Sequence, residues 1–342
     1  MSSFNVFLDE VCTQGDVLRA CLDKYYGVKH QRLTEVFGAF KQEGYKRILL
    51  VGMGSSFYAA RCVAGYLSGS GIPCTVLNAY DVAAFNFAHV TAADTLLVCI
   101  SQSGKSWEVV KVAEMAKKKG ITVVGIYNRE GSPLSKLASY HILIHAGEER
   151  FISNKSYLCT LTVLNLFAHG IGGGLNDSLK QELYAAADWI SEWLDNWMDR
   201  TNPVYEFSKG SVMYDFIADG PSFSTAGQSG LIYREGPKVY SGASETADYA
   251  HGLNLCANNG YCGFMLSPAY ESEAEKRMVE AVTKSGGKIV LLTAKNISES
   301  EIKSENMFVI KLPKLRDSLM PLTEIIPLNT LMGIMMGKGW TR

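Results

Sequence analysis

Two stretches of this chain, 166 residues apart, carry the same pattern, and this duplication limits the possible folds more than any other feature of the sequence. GMGSSFYAA, beginning at Gly52, recurs as ADGPSFSTA beginning at Ala218, so Gly54, Ser56, Phe57 and Ala60 face Gly220, Ser222, Phe223 and Ala226. CISQSGKSWEVV, from Cys99, recurs as MLSPAYESEAEK from Met265, and each copy continues through a helix into a strand, ITVVGIYN and KIVLLTAKN. Within the first copy, strands are expected at 75–77, 95–100, 122–127 and 141–144, with helical patterns between them. Alternation of this kind predicts a parallel sheet covered by helices on both faces.

The first copy is most explicit between Ala93 and Gly120. Leu96 to Ile100 form an unbroken apolar run of strand length, and Val109, Val112, Ala113 and Ala116 then recur at helical spacing. The period changes at Ser101-Gln102-Ser103-Gly104. A loop of small hydroxyl residues where a helix begins offers free backbone N–H groups and the positive end of the helix dipole, which suits a phosphate group. Ser101, Ser103 and Ser106 add hydroxyl donors, Gln102 adds an amide, and Gly104 lets the backbone come close. One serine at such a place is ordinarily a helix cap; three hydroxyls and a glycine after a buried strand point to phosphate. In the second copy Tyr270, Pro268 and Ala269 replace the glycine, the amide and the middle hydroxyl. The duplicated fold is therefore expected to have kept one phosphate site and released the other. Ser55 and Ser56 are expected to line the same crevice, outside the carboxyl ends of neighbouring parallel strands.

At 342 residues with 47% hydrophobic content, the chain can bury the cores of two domains. Its net charge of -1 is spread evenly, leaving no electrostatic footprint for nucleic acid or an acidic membrane surface. The start, MSSFNVFLDEVCTQGD, has acids where a signal peptide needs a basic start and an apolar run. No segment approaches the roughly 20 uninterrupted apolar residues of a membrane span, so a cytoplasmic protein is expected. The cysteines are scattered without a C-x-x-C pair, which argues against a disulfide framework. His141 and His145, in YHILIH, would share one face of a strand, but no third ligand accompanies them and no metal is expected. Gly52-x-Gly54 invites a dinucleotide reading; Phe57 stands at the third glycine and no acid is suitably placed downstream, so no nicotinamide cofactor is expected.

Phe7, Val11, Leu18 and Cys21, then Leu33, Val36, Phe37 and Phe40, keep helical spacing, and residues 1–47 read as two packing helices. A first domain is expected over 48–175, ending in the glycine-rich break at Gly170 to Gly174. A linker helix over 176–204 carries Trp189, Trp193 and Trp197 as a packing or subunit stripe, and a second domain takes 205–342.

The motifs in order are Gly52-Met53-Gly54-Ser55-Ser56, then Ser101-Gln102-Ser103-Gly104-Lys105-Ser106, then Ser153-Asn154-Lys155, then Glu235 with His251-Gly252 sixteen residues on. With these, the chain resembles the double sugar-isomerase (SIS) domain family over nearly its whole length. It is similar to the isomerase half of glucosamine-6-phosphate synthase and to the 6-phosphofructosamine deglycases. The resemblance implies an α/β fold of two tandem flavodoxin-like SIS subdomains, each a parallel sheet flanked by helices. It implies phosphate ligands at Ser101, Gln102, Ser103 and Ser106, and sugar contacts at Ser55, Ser56 and Ser153. It further implies a catalytic glutamate at Glu235, a ring-opening histidine at His251, no cofactor, and a homodimer or higher homo-oligomer in which the histidine reaches a neighbouring subunit's site. Read without the family, Glu235 is a charge near a helix end and His251 a turn histidine. Together they supply a carboxylate that moves a proton beside a carbonyl or imine and an imidazole that titrates near neutrality.

The glutamine-dependent synthases also carry a glutaminase domain beginning with a nucleophilic cysteine, whereas this chain opens Met1-Ser2-Ser3. Their tail lysine would follow the point where this chain ends, Lys338-Gly339-Trp340-Thr341-Arg342, and Ile232 replaces a helix lysine three residues before Glu235. The expected function is a deglycase or deaminase for a 6-phosphorylated amino sugar or sugar-amine conjugate, without use of glutamine ammonia. Phosphosugar isomerisation and a non-catalytic sugar-phosphate sensor are the alternatives.

Overall fold

The computed structural model describes residues 3–27, 30–90, 94–298, 301–302 and 304–338. Of the stretches read above, Met1, Ser2, Ala93 and 339–342 lie outside the described residues. The helices are α1 (Ser3–Val11), α2 (Gln14–Tyr26), α3 (His30–Gln42), α4 (Ser55–Gly69), α5 (Trp107–Lys118), α6 (Lys155–Ile171), α7 (Asp177–Asp195), α8 (Trp197–Ser208), α9 (Phe223–Glu235), α10 (Thr246–Ala250), α11 (Glu273–Lys284) and α12 (Met320–Gly337), with short turns between some of them. The strands are β1 (Arg47–Gly52), β2 (Cys74–Asn78), β3 (Thr95–Ile100), β4 (Val123–Tyr127), β5 (Tyr140–Leu143), β6 (Met213–Ala218), β7 (Tyr240–Ser244), β8 (Tyr261–Leu266), β9 (Lys288–Thr293) and β10 (Met307–Lys311). The chain forms two compact units: Thr13–Glu149 with Ser153–Ala187, and Met1–Cys12 with Arg150–Ile152 and Asp188–Arg342.

The first unit holds the sheet β2-β1-β3-β4-β5 and the second the sheet β7-β6-β8-β9-β10, with every pair parallel. Moving β1, β2, β3 and α5 along the chain by 166 residues lands on β6, β7, β8 and α11 residue for residue. All six residues of β3 are buried, each large aliphatic among them contributing about 1.5–3 kcal/mol through burial. Val109, Val112, Ala113 and Ala116 of α5 pack on the same core as Leu97 and Cys99. In the first unit the chain leaves β1 to one side and returns to its other side as β3. That reversal opens a crevice at the carboxyl ends of β1 and β3, the place where open parallel sheets hold ligands.

Two long helices are buried on nearly every side, as core helices are. In α6 the polar residues turn inward: the Thr160 hydroxyl donates to the Ser156 carbonyl at 2.7 Å and the Thr162 hydroxyl to that of Leu158 at 2.9 Å. The stretch Asp317–Gly337, containing α12, amends the expectation that no segment suits a membrane. It is long and apolar enough, with mean hydropathy 1.3 over an 18-residue window, yet 94% of that window is buried inside the fold, so here it is a core helix. Its one acid within α12, Glu324, is fully buried and accepts hydrogen bonds from the hydroxyls of Ser222 (2.6 Å) and Thr225 (2.9 Å).

Three other expectations change. The N-terminal region forms three helices, because α1 presses Leu8 against Gly333 of α12 in the second unit while α2 belongs to the first unit. The tryptophan stripe is broken: α7 ends at Asp195 and Trp197 opens α8, while Trp189 and Trp193 pack at 5.2 Å beneath Arg200. His145 lies beyond β5 at φ 53, off the strand that carries His141, whose Nδ1 instead meets the Tyr127 hydroxyl at 2.8 Å. Among the described residues, no group of three or more His, Cys, Asp or Glu side chains could hold a metal ion.

Burial pushes the Glu324 carboxyl up to about 7 from an ordinary 4.5. A carboxyl that keeps its proton longer folded than unfolded makes the fold less stable as pH rises between those two values. Glu324→Gln removes that loss. In urea unfolding, the variant's stability relative to the wild type should therefore improve from pH 5 to pH 8; an unchanged difference would show that Glu324 titrates normally.

Candidate functional site

The loop Ser101–Ser106 is held by backbone bonds before any ligand is considered. The Ser101 N–H donates to the Ile126 carbonyl (3.0 Å), the Gly104 N–H to Ser101 (2.9 Å), and the Asn128 N–H to Gln102 (2.9 Å). Gly104 sits at φ 64, and a Cβ there would lie 2.2 Å from the Ser132 hydroxyl, so only glycine fits. Ser101 is buried, and its Oγ lies 2.9 Å from that of Ser106. Ser106 occupies the cap position of α5 yet makes no side-chain cap bond. The first-turn N–H groups of α5 thus receive nothing from the residue that would normally satisfy them.

The second copy keeps the turn and closes the site. The Ser267 N–H donates to Leu292 (3.0 Å) and the Ala294 N–H to Pro268 (3.0 Å), each bond 166 residues from its counterpart. Tyr270 takes the place of Gly104 at φ 43 and is buried, and its N–H donates to the Ser267 hydroxyl at 3.0 Å. Ser272, the counterpart of Ser106, caps α11 in a reciprocal box with Glu275. The donors left open in the first loop are filled by the chain itself in the second.

Ser55 and Ser56 begin α4 immediately after β1, and Gly54 before them has φ 50. A Cβ on Gly52 would lie 2.9 Å from the Phe57 nitrogen, so the glycine allows the helix to start against the strand end. Since β1 and β3 are neighbours, these serines and Ser101–Ser106 stand on the two lips of one crevice. Ser153 precedes α6 in the same unit, with its Oγ 3.0 Å from that of Ser156. The Glu149 carboxylate accepts from the N–H groups of Asn154 and Ser156, both at 2.9 Å, and from the Ser156 hydroxyl. It thereby caps α6, while the Lys155 ammonium donates to the Glu148 carbonyl at 2.6 Å.

Glu235 and His251 lie in the second unit, at the ends of α9 and α10. Glu235 is exposed as a residue, but partial burial raises its carboxyl above the ordinary glutamate value. Gly236 next to it lets the chain pass close to the sulfurs of Met332 and Met336, where a Cβ would stand 3.0–3.1 Å away. His251 is exposed, and its N–H donates to the Asp248 carbonyl at 3.0 Å. No hydrogen bond joins the two side chains among the described residues. Sequence patterns give no sign of the supporting roles of Ser132, Asn128 and Glu149, which come from distant parts of the chain. The lone acid of LMPLTEIIPL was the one visible signal of Glu324.

Residues 43–170 match the SIS domain family. The glutamine–fructose-6-phosphate aminotransferase (isomerizing) of Pyrococcus horikoshii is 27% identical over 292 residues, 84% of this chain and 48% of that protein. The chain thus spans about half the length of the curated relatives it matches. Among solved structures, the C-terminal domain of glucosamine-fructose-6-phosphate aminotransferase from Francisella tularensis superposes with a TM-score of 0.82 at 19% identity, covering 98% of this chain and 97% of that one. Glucosamine-6-phosphate deaminase from Thermotoga maritima gives 0.72 at 21% identity, covering 97% and 94%. At these identities the two structures share the fold. The loop Ser101–Ser106 lies inside the matched segment, so residues 43–170 carry a SIS domain, and the second half of the chain repeats its sheet order.

Proposed function

We propose that the chain is an enzyme acting on a 6-phosphorylated amino sugar or sugar-amine conjugate, as a deglycase or deaminase. The observation that carries this reading is the contrast between the two loops: in one, Ser106 leaves the start of its helix without a side-chain cap and its hydroxyl meets that of Ser101, while in the other Tyr270 and Ser272 fill the equivalent places. An open helix start with hydroxyl donors suits a phosphate dianion. The names of the similar proteins, which concern fructose 6-phosphate and glucosamine 6-phosphate, support a phosphosugar.

In this reading the 6-phosphate accepts hydrogen bonds from Ser101, Ser103, Ser106, the Gln102 amide and the start of α5, while Ser55, Ser56 and Ser153 contact sugar hydroxyls. His251 assists ring opening. Glu235 takes a proton from C1 of the open ketoamine and returns it to C2 while the amine N–H proton passes to the C2 oxygen, which converts the ketoamine to an imine with a C2 hydroxyl; water adds to the imine carbon, and the C1–N bond breaks to release the amine and a hexose phosphate. Burial that raises the Glu235 carboxyl moves it toward the working range of a general base. Ile232, fully buried on the same helix, replaces the synthases' lysine, which favours amine release over synthesis.

A panel of 6-phosphofructosamines and glucosamine 6-phosphate, assayed for both amine and hexose phosphate, tests the reaction. Amine release supports the reading; ketose-aldose conversion alone would make the chain an isomerase, and binding without turnover a sensor. Glu235→Gln should bind substrate and lose roughly 10²–10⁴ in turnover, the usual worth of a positioned acid-base group. Normal turnover would require another base.

Ser103→Ala should weaken binding of a sugar 6-phosphate by about one to two decades, as loss of a charge-assisted hydrogen bond does. Ser267→Ala in the closed loop should change it little. Equal losses in calorimetric titration would contradict a single phosphate site.

We further propose a homodimer in which His251 serves the partner's site. His251 is followed by Leu253 and Leu255, exposed by 49% and 85%, an apolar surface suited to a subunit contact. Glu235→Gln and His251→Ala subunits, mixed and exchanged, should then recover about a quarter of wild-type activity from intact composite sites under two-fold symmetry. Exchange without recovery would put both residues of a site on one chain.

A further inference from the structure

The first unit contains a second polar cavity, apart from the phosphate loop. It measures about 500 Å³ and is lined by Lys24, Asn128, Arg129, His145, Gly147 and Glu148. Asn128 and Arg129 follow β4, and the stretch from His145 to Glu148 follows β5, so the cavity opens on the same edge of the sheet as the loop after β3. At the usual strand spacing it lies about 5–10 Å along that edge from Ser101–Ser106. Asn128 joins the two places. Its N–H donates to the Gln102 carbonyl at 2.9 Å, its side-chain amide donates to Gly147 at 2.6 Å, and its Oδ1 accepts from Ala146 at 3.0 Å.

The charges here are not used elsewhere. Neither Lys24 nor Arg129 has an ion-pair or side-chain hydrogen-bond partner among the described residues, and against them stands only the carboxylate of Glu148. His145 completes the wall at φ 53, an uncommon conformation for a residue with a side chain, its ring 5.5 Å from that of Tyr25. The larger cavity of the second unit, about 600 Å³ along α11, differs on this point. Its lysines are already paired, Lys276 with Glu273 at 2.8 Å and Lys284 with Glu280 at 2.7 Å.

We propose that the cavity of Lys24 and Arg129 is a carboxylate subsite, which takes the acidic group of the amine portion while the conjugate's 6-phosphate rests on Ser101–Ser106. The assignment rests on the function proposed above and narrows its substrates to conjugates of amino acids. A guanidinium and an ammonium converging on one pocket match a carboxylate in charge, and the guanidinium matches it in fork geometry as well.

Calorimetric titration of the full chain tests this with paired probes: 6-phosphofructosyl conjugates of glycine and 4-aminobutyrate, their carboxyl-free counterparts from methylamine and propylamine, fructose 6-phosphate, and the free amino acids. At least one carboxylate conjugate should bind about ten-fold more tightly than its counterpart, as one added charged contact would give. The gap should shrink with salt. The double variant Lys24→Met with Arg129→Met should erase it and leave fructose 6-phosphate and the carboxyl-free conjugates unchanged. Matched probes that bind alike, or a gap that survives the double variant, would overturn the subsite while leaving the phosphate reading intact. Free amino acids binding as well as the conjugates would overturn it in favour of an independent acid site. Failure of every sugar phosphate to bind would bring down the phosphate loop, and the subsite with it.

Discussion

Every helix begins with N–H groups that have no intrahelical acceptor, and what supplies that acceptor at α5 and α11 divides the labour between the two halves of the chain. At α11 the chain supplies it, through the Ser272 hydroxyl and the Glu275 carboxylate. At α5 the corresponding serine turns toward Ser101 instead. Leaving a cap unmade costs a helix about 1 kcal/mol, a cost that a bound anion can offset. The parallel sheet then matters because it places these helix starts side by side at one edge, next to the serines after β1.

The second unit handles its equivalent crevice differently. Leu319-Met320-Pro321 stand where the first unit has Ser153-Asn154-Lys155. The Glu324 carboxyl, brought in from α12, takes the hydroxyl of Ser222, the counterpart of Ser56. Thr225 supplies a second hydroxyl from α9, the helix that ends in Glu235. The Tyr233 hydroxyl donates to Leu328 at 2.9 Å further along. Thus α9 is tied to α12 near its start and near its end, and the carboxyl of Glu235 projects from a well-anchored rod.

Much of this architecture was legible because strand and helix periods are local properties. The 166-residue repeat carried over to whole strands without slippage, and the loss of glycine, amide and hydroxyl from the second loop correctly marked it as the altered copy. What stayed hidden depends on distant partners. Helical spacing continues across Thr13 because neither α1 nor α2 reveals which unit it will join. Tryptophans spaced by four say nothing of Asn196, where α7 has already ended. The alternation of YHILIH suggested one strand face for both histidines, but the pairing of β5 with β4 stops at Leu143 and frees His145 to turn. The cavity beside it draws on α2, β4 and β5 at once, and no short window of sequence contains all three.

Tyr270 has a wider consequence. A side chain in the left-handed region costs roughly 1–2 kcal/mol, and a loop under no other constraint would relax out of it. This loop has not relaxed; its bonds from Ser267 to Leu292 and from Ala294 to Pro268 repeat those of the first loop at the same lengths to within about 0.1 Å. The second loop therefore acts as a natural control for the first. Its shape persists with Tyr270 in place of the glycine and Ser272 capping the helix, so the shape belongs to the strand ends. By the same token the first loop is formed in advance, and an arriving anion would spend little of its binding energy on ordering the backbone that receives it.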